Sequence, residues 1–132
     1  GKSIIVKDGC DVTIFATGLM VAHSLKSAAM LEEQGVSVRV VDMHTVKPVD
    51  KEIIKNSFSC RLLVSVEEHS VIGGLGGAIA EEISQYGNCP PLLRLGINDV
   101  FVMAGDYEYL LGKYRLLPEQ IAQDIATKVR QH

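Results

Sequence analysis

The sequence predicts one three-layer α/β/α domain built on a mixed sheet of about five strands. Strand-like apolar segments alternate with amphipathic helical segments from one end of the chain to the other, and this alternation is typical of α/β folds. The length of 132 residues fits one domain with one core. A hydrophobic fraction of 47% predicts a folded globule rather than disorder. No repeat or linker interrupts the chain, so we expect a single domain over residues 1–132.

The chain opens with two short strand-like segments, Ser3–Lys7 and Asp11–Ala16. The dipeptide Asp8-Gly9 between them is a turn signal. Because the link is so short, the pattern favours an antiparallel hairpin between the first and second strands.

The next elements follow helical and then strand periodicity. A helix is predicted over Met20–Gln34, with Gly35 just beyond its C-terminus, and a third strand over Val36–Met43. Pro48 interrupts regular structure, and Asp50 is a suitable N-cap for a helix over 51–57.

The second half repeats the strand and helix alternation. The continuous apolar run Arg61–Val66 is typical of a buried parallel strand. The remaining elements are predicted as a helix over Ala78–Tyr86, a strand over Leu92–Leu95, and helices over Asp106–Lys113 and Pro118–Arg130.

Charge and cysteine content narrow the possible partners and the compartment. A net charge of −3 argues against nucleic acid or an anionic membrane as the main partner. No segment reaches the ~18 apolar residues of a membrane span, and no signal peptide is recognisable. Three widely spaced cysteines, Cys10, Cys60 and Cys89, indicate reduced thiols in the cytoplasm rather than disulfides or a zinc site. The chain begins at Gly1 without methionine, which is consistent with a fragment of something longer.

The segment Glu67–Gly77 is the strongest local signal for a site. It follows the end of a strand and leads into a helix, where open α/β sheets place ligands. Its glycines, Gly73, Gly74, Gly76 and Gly77, fit two interpretations: a tight turn that packs against another surface, or an anion site of backbone N–H groups. A dinucleotide fingerprint is not present, because position 79 is Ile79, and no phosphate-binding lysine follows the glycines.

Three polar residues open that segment, namely Glu67, Glu68 and His69. They could form an acid–base set. However, successive side chains of a strand point in different directions, so three in a row rarely converge on one atom. The pattern favours polar contacts across a domain or subunit interface, or at the border of a substrate channel.

His44 and Lys47 follow the third predicted strand, at the same edge of the sheet. Together with the glycine turn they could hold a phosphate or carboxylate, or they could belong to a solvated loop. The chain carries neither a nucleophile elbow nor an H-E-x-x-H metal motif. We therefore predict no catalytic, cofactor-binding or metal-binding residue in this chain.

Three segments in order resemble the C-terminal domain of transketolases. They are Asp11–Gly18 (DVTIFATG), Val40–Asp50 (VVDMHTVKPVD), and Val64–His69 followed by Gly73–Gly76. The resemblance covers about residues 2–131 and is nearest to the separate C-terminal transketolase subunits of prokaryotes. Deoxyxylulose-phosphate synthases and the β subunits of 2-oxo acid dehydrogenases share the signature.

The resemblance implies a five-stranded mixed sheet whose first strand is antiparallel to the others. It also implies an oligomeric holoenzyme that moves two-carbon ketol units between sugar phosphates. Thiamine diphosphate and Mg²⁺ (or Ca²⁺) are expected in the N-terminal and middle domains, so the isolated chain is expected to be inactive. The alternative is a subunit-docking module of one of the two sister families.

Overall fold

One mixed sheet forms the centre of the molecule. The computed structural model describes residues 2–70, 74–98 and 107–131, with 69, 70 and 98 described by their backbone alone. The strands of these residues are β1 (Ile4–Lys7), β2 (Val12–Ala16), β3 (Val38–Asp42), β4 (Leu62–Ser70) and β5 (Leu92–Asn98), in the spatial order β1-β3-β2-β4-β5. Strands β2 to β5 are parallel, and β1 is antiparallel to β3. The predicted mixed five-stranded sheet is confirmed.

Helices cover both faces of this sheet. They are α1 (Leu19–Glu33), α2 (Lys51–Asn56), α3 (Leu75–Ile83), α4 (Tyr107–Lys113) and α5 (Pro118–Arg130). One core cluster joins one sheet face to α1, α4 and α5, and a second cluster joins the other face to α2 and α3. The three-layer α/β/α arrangement is therefore also confirmed.

The central strand β2 shows how the sequence builds both cores. Ile14 and Phe15 are adjacent, both are fully buried, and they belong to opposite core clusters. Because side chains alternate along a strand, every residue of an apolar strand can be buried when both faces are covered. Burying one such side chain contributes about 1.5–3 kcal/mol.

The predicted hairpin between the first two strands is wrong. Strand β1 pairs with β3, with Ile4 opposite Asp42 and Ile5 opposite Val41. Both edges of β2 are already taken, by β3 on one side and β4 on the other. The fully buried β2 occupies the sheet centre, and the half-exposed β1 is left at the outer edge.

The link between β1 and β2 crosses the start of β3 in close contact with its backbone. A Cβ atom on Gly9 would lie 2.3 Å from the carbonyl carbon of Val38. Beyond the crossing, the amide of Asp11 donates to the Ser37 carbonyl at 2.8 Å, and the Ser37 amide donates to Asp11 Oδ2 at 2.8 Å. Only glycine has room at this crossing.

Two elements near the predicted site are placed differently from the prediction. Strand β4 continues to Ser70 instead of ending at Val66, and α3 begins at Leu75 rather than at Ala78. Gly76 and Gly77 consequently lie in the first turn of a helix, not in a loop.

Within the described parts of the chain, no helix combines the length and apolar character that crossing a bilayer requires.

Asp50 caps helix α2, as predicted, and it also holds the start of β1. Its Oδ1 accepts a hydrogen bond from the Ile53 amide at 3.4 Å, and its Oδ2 accepts from Ser3 N at 3.1 Å and Ser3 Oγ at 2.8 Å. Burial raises the pKa of Asp50, but the hydrogen bonds from Ser3 and Ile53 outweigh it, so the pKa lies below its ordinary value. Asp50 therefore stabilises the fold in its ionised form.

Replacing Asp50 with alanine should lower the free energy of unfolding at neutral pH by about 1 kcal/mol, the usual cost of a lost N-cap. Because the pKa of Asp50 is lowered in the folded state, its contribution is complete above the ordinary value of 3.8 and is lost as the pH falls through the folded-state pKa. Urea unfolding at pH 7 and at pH 3 should show the difference between wild type and Asp50→Ala shrinking at the lower pH. Asp50→Asn, which keeps a capping oxygen, should stay close to wild type at pH 7.

Candidate functional site

The predicted site residues follow strands that end together at the carboxyl edge of the sheet. Ala16 at the end of β2 is in register with Asp42 on β3 and with Val66 on β4. His44 follows Asp42 by two residues, and Glu68 follows Val66 by two. Topology therefore places both predicted clusters at one edge, as the sequence indicated.

Glu67 is a buried carboxylate that caps helix α3. Its side chain is 7% exposed, Oε1 accepts a hydrogen bond from the Leu75 amide at 3.0 Å, and Oε2 accepts one from the Gly76 amide at 2.7 Å. The N-cap residue of α3 is Gly74, which has no side chain for this purpose. Glu67 supplies the missing acceptors and places a negative charge at the positive end of the helix dipole.

Glu68 caps the start of helix α1 and also contacts α4. Its Oε1 accepts a hydrogen bond from the Leu19 amide at 3.3 Å, and its Oε2 accepts the hydroxyl of Tyr107. The N-cap of α1 is Gly18, again a glycine, with a positive φ of 56°. Glu68 thus ties the first turns of two helices together.

The two carboxylates act on opposite faces of the sheet. Glu67 belongs with α3 on one face and Glu68 with α1 on the other, because successive side chains of β4 alternate. Both oxygens of each carboxylate already accept a hydrogen bond. This arrangement positions helices, and it gives the acid–base alternative no pair of carboxylates directed at one point.

The glycines of the turn are packed closely against neighbouring polar groups. A Cβ on Gly76 would lie 2.7 Å from Arg94 Nε and 2.9 Å from Ser65 Oγ, and one on Gly77 would lie 3.7 Å from Arg94 Nη2. This geometry supports the packing interpretation of the turn. An anion is disfavoured here, because the Glu67 carboxylate already takes two amides of the first turn and repels negative charge.

His69 and Gly73 complete the predicted segment. Gly73 lies outside the described residues. His69 is described only as a backbone position in strand β4. The interface or channel role of His69 and the turn or anion-site role of Gly73 stay predictions.

His44 and Lys47 lie at the same edge but have other surroundings. The half-exposed His44 has Nδ1 at 3.6 Å from Asp42 Oδ1. Lys47 is exposed and lines an open groove of about 450 Å³ between the β3–α2 link and α3, together with Lys51 and Glu81. Among the described contacts, none joins His44 or Lys47 to Gly76 or Gly77, so an anion site shared with the glycine turn stays a prediction.

A set of exposed apolar residues beside Glu68 was not predicted from the sequence. Leu19 and Tyr107 are 44% and 36% exposed. Leu19 and Tyr107 both bond to Glu68, so they lie around the same carboxylate. We call Leu19, Glu68 and Tyr107 the carboxyl-edge surface. Helices that start after glycine, at Gly18 and Gly74, are a sequence signal that could have revealed distant caps.

The described residues also include no group of three or more His, Cys, Asp or Glu side chains placed to hold a metal ion. At this edge the carboxylates of Glu67 and Glu68 are committed to amide and hydroxyl donors. These two carboxylates therefore do not fit a metal–diphosphate site.

Comparison with known families gives one clear match. A family model described as "Transketolase, C-terminal domain" matches residues 1–121. A putative transketolase C-terminal section from Methanocaldococcus jannaschii is 48% identical over 130 residues, covering 98% of this chain and 40% of that protein. A 1-deoxy-D-xylulose-5-phosphate synthase from Caldanaerobacter subterraneus is 36% identical over 132 residues, covering 99% of this chain and 21% of that protein.

A solved structure described as a split gene transketolase, inactive β4 tetramer, has the same fold. It superimposes with a TM-score of 0.84 at 41% identity, covering 98% of this chain and 41% of that chain. This chain therefore spans well under half the length of the proteins it matches.

Proposed function

Because this chain belongs to the transketolase C-terminal domain family, we propose that it is the non-catalytic C-terminal domain or subunit of a transketolase that transfers two-carbon ketol units between sugar phosphates. It supports oligomer assembly and borders the substrate channel. Its partners are the N-terminal and middle domains of the enzyme, together with further copies of itself.

One observation carries the assembly role. The Glu68 carboxylate bonds both the first amide of α1 and the Tyr107 hydroxyl of α4, and it thereby fixes the exposed Leu19 and Tyr107 at the carboxyl edge. Apolar residues held around a positioned carboxylate are suited to contact another protein surface, because aromatic groups contribute strongly to interfaces.

The cofactors belong to the rest of the enzyme in this proposal. Thiamine diphosphate supplies the carbanion chemistry of ketol transfer, and Mg²⁺ or Ca²⁺ accompanies its diphosphate. The committed carboxylates of Glu67 and Glu68 do not fit that metal. The contribution of this chain is to position its neighbours.

Reconstitution tests the proposal directly. The 132-residue chain, mixed with the N-terminal and middle domains, should restore ketol transfer that depends on thiamine diphosphate. If those partner domains are fully active and stable in its absence, the proposal fails.

Replacing an exposed apolar side chain of the carboxyl-edge surface with serine should weaken binding to the partner domains. The variant Leu19→Ser removes exposed apolar area that is not part of the core, so the chain should unfold as wild type does. We expect at least tenfold weaker partner binding, about 1.4 kcal/mol, measured by titrating the chain into the partner domains and following activity. Ala29→Ser, an exposed position of α1 away from the edge, is the matched control and should bind as wild type.

A second candidate is the C-terminal domain of a deoxyxylulose-phosphate synthase, favoured by the 36% identity to such an enzyme over 99% of this chain. Reconstitution with each type of partner domain separates the two. Restored formation of 1-deoxy-D-xylulose 5-phosphate, without ketol transfer between sugar phosphates, would select the synthase.

A further inference from the structure

Strand β1 exposes three successive apolar side chains at the edge of the sheet. Ile4, Ile5 and Val6 are 53%, 43% and 41% exposed. Ile4 lies opposite Asp42 and Ile5 opposite Val41 on β3, so their side chains lie on opposite faces of the strand. Both faces of this edge are therefore apolar.

Charged residues lie only at the two ends of the apolar run. Lys2 is exposed before it, and Lys7 and Asp8 follow it. Lys7 is engaged by Glu32 and by the Val38 carbonyl. Edge strands that face water are generally protected by charges, prolines or bulges within the strand. Within β1, the register irregularity between Ile5 and Lys7 is the one feature of this kind.

We infer that β1 is the contact site for a second copy of this chain, paired antiparallel about a two-fold axis through Ile5. In this register Ile4 lies opposite Val6 of the copy, and Ile5 lies opposite itself. The three apolar side chains of each copy cover those of the other, which removes from water the area that the monomer leaves exposed.

Charge complementarity selects this register. Pairing centred on Ile5 brings Lys2 opposite Asp8 of the copy, once on each side of the axis. The Asp8 side chain is 76% exposed although it pairs with Arg39, so it can accept a second cation. A shift by one residue in one direction would bring Lys2 opposite Lys7, and like charges directly opposite are destabilising. A shift in the other direction would bring Ile4 opposite Lys7 and leave Lys2 without a charged partner.

The contact also limits the assembly to two chains. It uses the same edge of both copies, and an isologous contact of this kind ends at two chains. The opposite edge of the sheet, β5, is not involved. The inference rests on the homo-oligomeric part of the proposed function, but it uses an edge distinct from the carboxyl-edge surface.

Analytical ultracentrifugation of the 132-residue chain over a concentration series tests the contact. We expect wild type to dimerise and Ile5→Lys, which puts two cations on the axis, to raise the dimer dissociation constant at least tenfold. Ala29→Lys carries the same charge change at an exposed position of α1 and should dimerise as wild type. A wild type that stays monomeric, or an Ile5→Lys variant that dimerises normally, overturns the inference.

A disulfide across the axis gives a second, independent readout. Opposite residues of antiparallel strands have Cα atoms about 4.5–5.5 Å apart, within the range a disulfide spans. With Cys10 replaced by serine, Ile5→Cys should therefore cross-link on mild oxidation, whereas Ala29→Cys should not. Ile5→Lys should still restore ketol transfer with the partner domains, so a failed dimer and a failed transketolase role give different results.

Discussion

Replacing Gly9 with alanine is expected to lower the free energy of unfolding by about 3 kcal/mol, the upper end of the usual cost of forcing atoms into a filled space. The added Cβ would lie 2.3 Å from the Val38 carbonyl carbon and 2.4 Å from its oxygen. These are backbone atoms of β3, which cannot rotate away as a side chain can. Chemical denaturation should show the loss, and thermal unfolding should show a fall in Tm of about 10 °C.

Gly87→Ala is the matched control for this substitution. A Cβ on Gly87 would meet no atom within 4 Å. Alanine there should be neutral or slightly stabilising, because it restricts the unfolded chain. Equal effects of alanine at Gly9 and Gly87 would contradict the steric explanation.

Truncating Glu67 to alanine should cost about 3 kcal/mol, because two backbone amides at the start of α3 lose their charged acceptor in a buried place. The reason is geometric: Leu75 and Gly76 both donate to this one carboxylate, and Gly74 offers no replacement. Urea unfolding followed by circular dichroism measures the change.

Two variants separate capping from other effects. Glu67→Gln keeps one acceptor oxygen but loses the charge, so it should fall between wild type and Glu67→Ala. Glu81→Ala removes an exposed carboxylate from the same helix and should change stability by less than about 0.5 kcal/mol. If Glu67→Ala is no worse than Glu81→Ala, the carboxylate is not the cap we describe.

Most of the fold could be predicted because the spacing of apolar residues indicates which faces of a strand or helix are buried. The run Arg61–Val66 predicted a strand covered on both faces and the run Asp11–Ala16 predicted a strand, and the structure contains both strands. The spacing of apolar residues could not show whether the first two strands form a hairpin, because it does not say which strands pair. A short link shows that two strands are near in sequence, but the choice of partner depended on which strand, β2 or β1, filled the centre of the sheet.

The candidate site, like the fold, could be predicted only in part. Its place at the carboxyl edge follows from topology and was predicted from the strand order. The roles of Glu67 and Glu68 as helix caps were not predicted, because their donors, such as Leu19 and Leu75, belong to segments that only folding brings to β4. The alternation of adjacent side chains was the correct clue, since it ruled against convergence on one atom.

The position of β1 has a consequence for the order of folding. Its partner, β3, lies more than 30 residues further along the chain, with α1 and β2 between them. β1 therefore cannot nucleate with its nearest neighbour and can dock only after β3 has paired with β2, because a contact of long sequence separation forms after the local ones that make it possible. The half-exposed β1 contributes no residue to either core cluster. We therefore expect β1 to join the sheet after β2 and β3 have paired, and to be able to leave it while both core clusters stay intact.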